Sequence, residues 1–405
     1  MSGGTRSYEM ARRLVARGHE VHMITSDSDQ TAEYATDWRM TDESGIRVHW
    51  YPVRYDNKMS YRERIGAFRK FAWHSARRAA SVRADLVFAT STPLTVALPG
   101  IYAAARCRVP FVFEVRDLWP EVPIVVGALK NRFVIGAARA LEWAAYRSAR
   151  RLVALSPRMK EGIVNRGIAA DRVTVIPNGC DFELFDVPPQ RGEDFRRQHA
   201  WLQDRPLVVY IGTLGLINGV SYFVRLASEV ARLNAEVRFL VVGTGQQENM
   251  IRQQAMDAGV LDRSFFMMPQ VPKCEVPGIL SAADLATSLV IDRPEVAADS
   301  ANKFFDALAA GTPVAINHGG WLADLIRQRE IGLVMDPVDI GDAARSVAGF
   351  VTDSRRVACA GKAASKTARE LFGRDELARR LESTLLAAIG QTISCQRIQA
   401  LEKAA

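Results

Sequence analysis

The sequence predicts two parallel α/β domains in series, and three observations carry that reading. Both halves alternate short β-branched runs with amphipathic helical stretches. Glycine-rich turns follow several of these runs and open into helices, as in Rossmann-like domains. A chain of 405 residues is long enough to bury two cores of this kind.

In the first half, strands are expected at 20–25, 85–90, 110–115 and 151–156. In the second they are expected at 206–212, 238–243, 285–290 and 313–317. The turn-rich passage Val-Ile-Pro-Asn-Gly-Cys-Asp (175–181) follows a short strand and places the boundary near residue 182. The domains are therefore expected at 1–182 and 183–374. The segment 375–405 begins with an amphipathic helix, 375–389, of the kind that crosses back to the first domain in two-lobed folds. The chain opens on Ser2-Gly3-Gly4-Thr5, a turn before a helix, without the strand that normally leads into such a turn. The first strand of the N-terminal domain is thus expected to be missing, with a late start favoured as the reason.

Composition narrows the class. The chain is 48% apolar and 24% charged, an ordinary globular balance that argues against disorder. No apolar run approaches the ~20 residues needed to span a bilayer. No basic leader with an apolar core opens the chain. Five scattered cysteines without a C-x-x-C spacing suit a reducing cytosol and offer no metal cluster. The net charge of +8 is uneven: residues 1–180 carry +11 and residues 181–405 carry −3. Anionic lipid, nucleic acid or a plainly solvated basic surface each account for that asymmetry. No nucleic-acid module accompanies it.

Several motifs carry chemistry. Gly4, before the first helix, lies where backbone N–H groups meet an anion, or in a flexible terminus. Gly212 and Thr213 begin a loop with three glycines, running through Asn218, that joins a strand to a helix. It exposes N–H groups at the carboxyl edge of a sheet. Gly243 ends a strand in Gly-Thr-Gly, half of a dinucleotide fingerprint; the third glycine and the acidic ribose reader are absent. Glu114, Arg116 and Asp117 gather at another strand end beside Trp119, for a sugar or for a structural ion pair. Asp27-Ser28-Asp29 has a cation-binding spacing, but no further carboxylate or His lies nearby to complete a shell. The stretch 61–83 interleaves Arg and Lys with Ile65, Phe68, Phe71 and Trp73, either as a membrane-interface helix or as one packed by its aromatic face. The helix after Ser300 raises a sharper question. Ser300 is a candidate cap, Phe304 and Leu308 share a buried face, and Gly311 stops the helix. Asn302 and Asp306 share another face, where Asp306 is either solvated or aimed at a ligand.

Together these pieces resemble the GT-B glycosyltransferases of the large retaining family 4, over roughly residues 2 to 389. The opening helix, "VIPNGCD", "FLVVGTGQQENMI", "QVPKCEVPGILSAADLATSL" and "FFDALAAGTPVAI" follow in that family's order. "EVRDLWPE", "GTLGLINGV" and "NKFFDALAAG" are similar to the WbuB-like N-acetyl-L-fucosamine transferase branch of O-antigen and exopolysaccharide synthesis. The resemblance implies two Rossmann-like domains facing a central cleft. It implies a peripheral enzyme on the inner face of the cytoplasmic membrane, moving a sugar with retention from a UDP-sugar to a polyprenyl-diphosphate-linked saccharide. Neither a metal nor another cofactor is expected.

The resemblance assigns Asp306 to the ribose hydroxyls, in place of the family's second Glu. The first Glu of that pattern is replaced by Ala298, with Glu295 and Asp299 close by. Arg116-Asp117 stands where many members have His-Asp, and with Glu114 it forms the expected catalytic group. The usual Gly-Arg and Lys-Gly pyrophosphate pairs read Gly212-Thr213 and Asn218-Gly219, which leaves Lys303, Arg293 and Lys273 to supply the cations. Gly4, Gly243, Asp299 and Asn302 complete the expected donor site. Two other readings stay open: a GT-B-like nucleotide-sugar epimerase, and a non-catalytic membrane-associated partner that keeps the fold.

Overall fold

The computed structural model describes residues 6–27, 37–54, 59, 61–91, 93–121, 124, 127, 129–293 and 300–391. The chain forms two compact units. One runs through Pro177 and takes in the chain from Asp375 onward, and the other is Asn178–Arg374. The division falls before residue 182 because the linker is tied to the second unit. Asn178 donates to the Ser300 carbonyl, and Asp181 pairs with Arg374 at 2.7 Å.

The first unit contains α1 (Arg6–Ala16), α2 (Tyr61–Ser81), α3 (Ala97–Cys107) and α4 (Arg132–Ser148). Its described strands make two sheets. In the first, β1 (Val21–Asp27) runs parallel to β3 (Ile46–Pro52), and β2 (Arg39–Glu43) is antiparallel to β3. The second is parallel in the order β4 (Val87–Thr90), β5 (Phe111–Val115), β6 (Arg151–Ala154), β7 (Val173–Val175). No described strand joins β1 to β4, and both are half-buried along their length. The helix Arg374–Ala388 places Leu377, Ala378 and Leu381 against Met10 and Leu14 of α1 and against Val112 and Val153 of the second sheet.

The second unit is one parallel sheet in the order β10-β9-β8-β11-β12-β13. These strands are β8 (Leu207–Ile211), β9 (Arg238–Val242), β10 (Phe265–Met268), β11 (Leu285–Ser288), β12 (Val314–Ile316) and β13 (Gly332–Val334). Central strands of a parallel sheet are covered on both faces, so they read as continuous apolar runs rather than alternating ones. In β8, Val208 and Tyr210 enter one core with Phe223 and Phe239, while Leu207 and Val209 enter the other with Phe304 and Phe305. This is the doubly wound order, which reverses between β8 and β11. Ligands bind beyond the carboxyl ends of the strands at that switch point.

Candidate active site

The backbone at the carboxyl end of β8 is tightly fitted. Gly243 has φ +151°, and a Cβ there would lie 2.0 Å from the Gly212 carbonyl oxygen, so only glycine lets the loops after β8 and β9 touch. Gly212 itself faces Lys303, whose Cε and Nζ would stand 3.3 Å from an added Cβ.

Lys303 comes from the helix Asn302–Ala309 and reaches back over β8. Its Nζ donates to the Tyr210 hydroxyl at 2.9 Å and to Asn218 Oδ1 at 3.2 Å, and it lies 4.3 Å from the Tyr210 ring centroid. The Tyr210 hydroxyl and Asn218 Nδ2 both donate to the Thr213 carbonyl. Burial pushes the Tyr210 phenol up, so it stays neutral and keeps that proton. The result is an ammonium fixed in one position at the switch point.

Two helix N-termini add to it. Neither Asn302–Ala309 nor Ser221–Leu233 receives a side-chain cap. The cap expected from Ser300 is not formed, because Ala301 occupies the N-cap position. Backbone carbonyls of the preceding turns take several of the first-turn N–H groups, among them those of Tyr222, Phe223 and Phe304, so what the two helices bring to this end of the sheet is the positive end of their dipoles.

Asp306 lies one turn further along. It is half-buried, and no described protein donor hydrogen-bonds its carboxylate. Burial raises its pKa to about 6, against the pull of Lys273 and Arg374 and with a push from Asp181. The Cys180 thiol sits in the same neighbourhood and is itself pushed up by burial and by Asp306. A carboxylate kept half-buried without a donor is costly unless a ligand supplies one.

Of the other expected donor residues, Lys273 lies 5.6 Å from the Phe185 ring and acts on Asp306 through its charge. Arg293 and Asn302 are exposed. Gly4 and Asp299 lie outside the described residues, as do Ser28, Asp29, Glu295 and Ala298. Asp27 is held by Arg39 at 2.7 Å.

The catalytic group expected in the first unit divides. Glu114 is 2% exposed, and protein donors occupy both of its oxygens. Arg6 Nε donates to Oε1 at 2.9 Å and Thr90 Oγ1 to Oε2 at 2.7 Å. Burial alone would raise its pKa, but Arg6 and these hydrogen bonds hold it below the usual carboxylate range. Arg6 also donates to the carbonyls of Ile176 and Pro177. Glu114 is therefore a positioning residue that fixes Arg6 and the end of β7. Arg116 and Asp117 are half-buried beyond the end of β5, where the Arg116 amide donates to Ser91 Oγ at 2.8 Å. Glu114→Ala is expected to destabilise the first unit by roughly 3–5 kcal/mol, since it strands a buried guanidinium. Urea unfolding followed by tryptophan fluorescence measures this, and an unchanged midpoint rejects it.

Sequence reading missed Tyr210 and Arg6. Tyr210 had one signal, a phenol near the end of an otherwise aliphatic strand. Arg6 had none, because its partners are 108 and more residues away.

Comparison with known proteins agrees with this architecture. Residues 3–179 match the family described as glycosyl transferase 4-like domain, and residues 192–367 match glycosyl transferases group 1. The chain is 27% identical over 236 residues to 2-deoxystreptamine glucosyltransferase of Streptomyces kanamyceticus, covering 58% of this chain and 59% of that protein. It is 26% identical over 406 residues to D-inositol 3-phosphate glycosyltransferase of Xylanimonas cellulosilytica, covering 93% of this chain and 90% of that one. Among solved structures, HepE of Anabaena in complex with UDP and glucose superimposes with a TM-score of 0.71 at 17% identity, covering 95% of this chain and 97% of that one. The chain belongs to the GT-B glycosyltransferases, with a glycosyl transferase 4-like domain followed by a glycosyl transferases group 1 domain.

Proposed function

We propose that this protein is a retaining glycosyltransferase that moves a sugar from a nucleoside-diphosphate sugar, UDP in the first instance, to a lipid-linked or membrane-associated saccharide. The carrying observation is Lys303, held by Tyr210 and Asn218 at the switch point of the second unit. Departure of a nucleoside diphosphate builds negative charge on the β-phosphate. A preorganised ammonium and uncapped helix N-termini stabilise charge of that kind without reorganising. The UDP, glucose and UDP-glucose named for the HepE structures support the donor class.

Asp306 accepts the ribose hydroxyls, and Lys273, Arg293 and Asn302 surround the same ligand. Arg116 and Asp117 serve the reacting sugar from the first unit. Retention, an N-acetylated deoxyhexosamine as the sugar, and a role in O-antigen or exopolysaccharide synthesis rest on the resemblance in the sequence motifs. The acceptor places the enzyme at the inner face of the cytoplasmic membrane, attached peripherally.

UDP release measured across a panel of nucleotide sugars, with and without a polyprenyl-diphosphate saccharide, tests the proposal. Release that requires the acceptor is the expected result. Sugar isomerisation without an acceptor would make it an epimerase, and failure to bind any nucleotide would leave a non-catalytic partner. The charge-stabilising groups named are all from the protein, so turnover is expected to survive EDTA. Loss of activity that Mg²⁺ or Mn²⁺ restores would overturn that part.

A further inference from the structure

The first unit exposes large apolar side chains in one concentrated place. Besides Met40, the exposed large hydrophobics among its described residues are Ile65 and Trp73 on α2, Leu98 and Tyr102 on α3, and Phe133, Val134 and Trp143 on α4. A protein that meets only water does not ordinarily cluster such residues. The three helices are neighbours: α2 packs on α3 and α3 on α4. Beneath them, α2 covers β1 and β3 of the first sheet, while α3 covers β4 and β5 and α4 covers β5 of the second. Their outer faces therefore form one continuous surface.

The surface is basic as well as aromatic. The three helices carry ten Lys and Arg against two carboxylates, of which Glu142 is buried. Along α2, Ile65, Arg69, Trp73 and Arg77 recur every fourth residue on the exposed side, and Arg77 stacks on Trp73 at 4.2 Å. Arg147 lies over Trp143 and Arg132 over Phe133. Between α2 and α3 runs a groove of about 840 Å³, lined by Arg69, Lys70, Trp73, Arg77, Leu98 and Tyr102. Its apolar walls carry cations at the rim.

We infer that this three-helix face docks on an anionic lipid bilayer. The chemistry commits to lipid over other occupants. Aromatic rings with adjacent guanidinium groups sit at the boundary between headgroups and acyl chains, and a groove with apolar walls and cationic rims takes an acyl chain and its phosphate. A nucleic acid would use the charge but not Phe133, Val134 and Leu98. The face rests on the proposed membrane-bound acceptor only for its purpose; its evidence is independent of the donor site.

Two substitution pairs separate its parts. Arg69→Glu with Lys70→Glu reverses charge at the groove. Phe133→Ser with Trp143→Ser removes exposed aromatics without touching a core. Co-sedimentation with phosphatidylglycerol-containing vesicles at low salt, against pure phosphatidylcholine, is the measurement. Binding of the native protein to the anionic vesicles only is expected. The charge pair should weaken it on the order of 100-fold, at ~1 kcal/mol per basic charge near the surface, with the loss shrinking as salt rises. The aromatic pair should weaken binding at every salt concentration. UDP affinity, a property of the second unit, should be unchanged in both variants, which separates failure of docking from failure of the donor reading. Absence of vesicle binding at low salt, binding indifferent to both pairs, preference for duplex DNA, or self-association abolished by the aromatic pair would each overturn the inference.

Discussion

Lys303→Ala is expected to lower turnover on the order of 10²–10³-fold, the scale for removing one preorganised donor from a developing anion. The effect should fall mainly on kcat, because the charge on the leaving β-phosphate grows as the glycosidic bond breaks. Geometry explains why no nearby cation substitutes. Lys303 Nζ is fixed between the Tyr210 hydroxyl and Asn218 Oδ1, whereas Arg293 is exposed. Tyr210→Phe keeps the ring beneath the ammonium and removes one of its acceptors, so a smaller loss, roughly tenfold, is expected from one missing hydrogen bond. Lys303→Arg should not restore the native rate, since a planar fork does not reproduce a compact ammonium that donates to Tyr210 and Asn218 from one point. The measurement is steady-state UDP release with the donor that the panel identifies. Turnover within threefold of native for Lys303→Ala would remove this lysine from the leaving-group site.

What the sequence disclosed was mostly local. Each of the eight strands expected from β-branched runs is present, because a buried parallel strand announces itself in its own residues. The glycines at 212 and 243 were legible for the same reason: a strand that ends in Gly before a helix has few other uses. The hairpin of β2 and β3 escaped, although Ser44 and Gly45 make a two-residue turn with φ of 57° and 80°. Its signal was diluted because β2 is polar and largely exposed. Long-range pairing was beyond reach. Nothing near Glu114 shows that Arg6 and Thr90 saturate it, and nothing near Tyr210 shows a lysine 93 residues away above its ring. The cap expected from Ser300 failed on a one-residue difference in where the helix starts.

Asp306→Asn is expected to stabilise the free protein while it weakens UDP binding, and the two effects have one cause. Burial above all pushes the Asp306 carboxyl up from its ordinary value of 3.8 to about 6. A carboxyl whose pKa rises on folding binds more protons in the native state than in the unfolded one. Its contribution to stability is therefore most favourable below about pH 4. That contribution declines as pH rises through about 6 and is level above that. The gap corresponds to about 3 kcal/mol at neutral pH as an upper figure. Asn cannot ionise, so Asp306→Asn should unfold at higher denaturant than native protein at pH 7.5 and match it near pH 4. For the ligand the sign reverses. Ribose hydroxyls donate to an ionised carboxylate, so native affinity for UDP should fall as pH drops below about 6. Asp306→Asn should bind UDP more weakly at pH 7.5 by roughly 1–3 kcal/mol, the scale of hydrogen bonds to a charged group. UDP titrates too, but the difference between native and variant proteins cancels that contribution. Calorimetry at pH 5, 6 and 7.5 on both proteins, beside urea unfolding at the same pH values, is the test. Unchanged UDP affinity in the folded variant would end the ribose assignment. A variant less stable than native at pH 7.5 would show instead that Lys273 and Arg374 hold Asp306 as a structural anion.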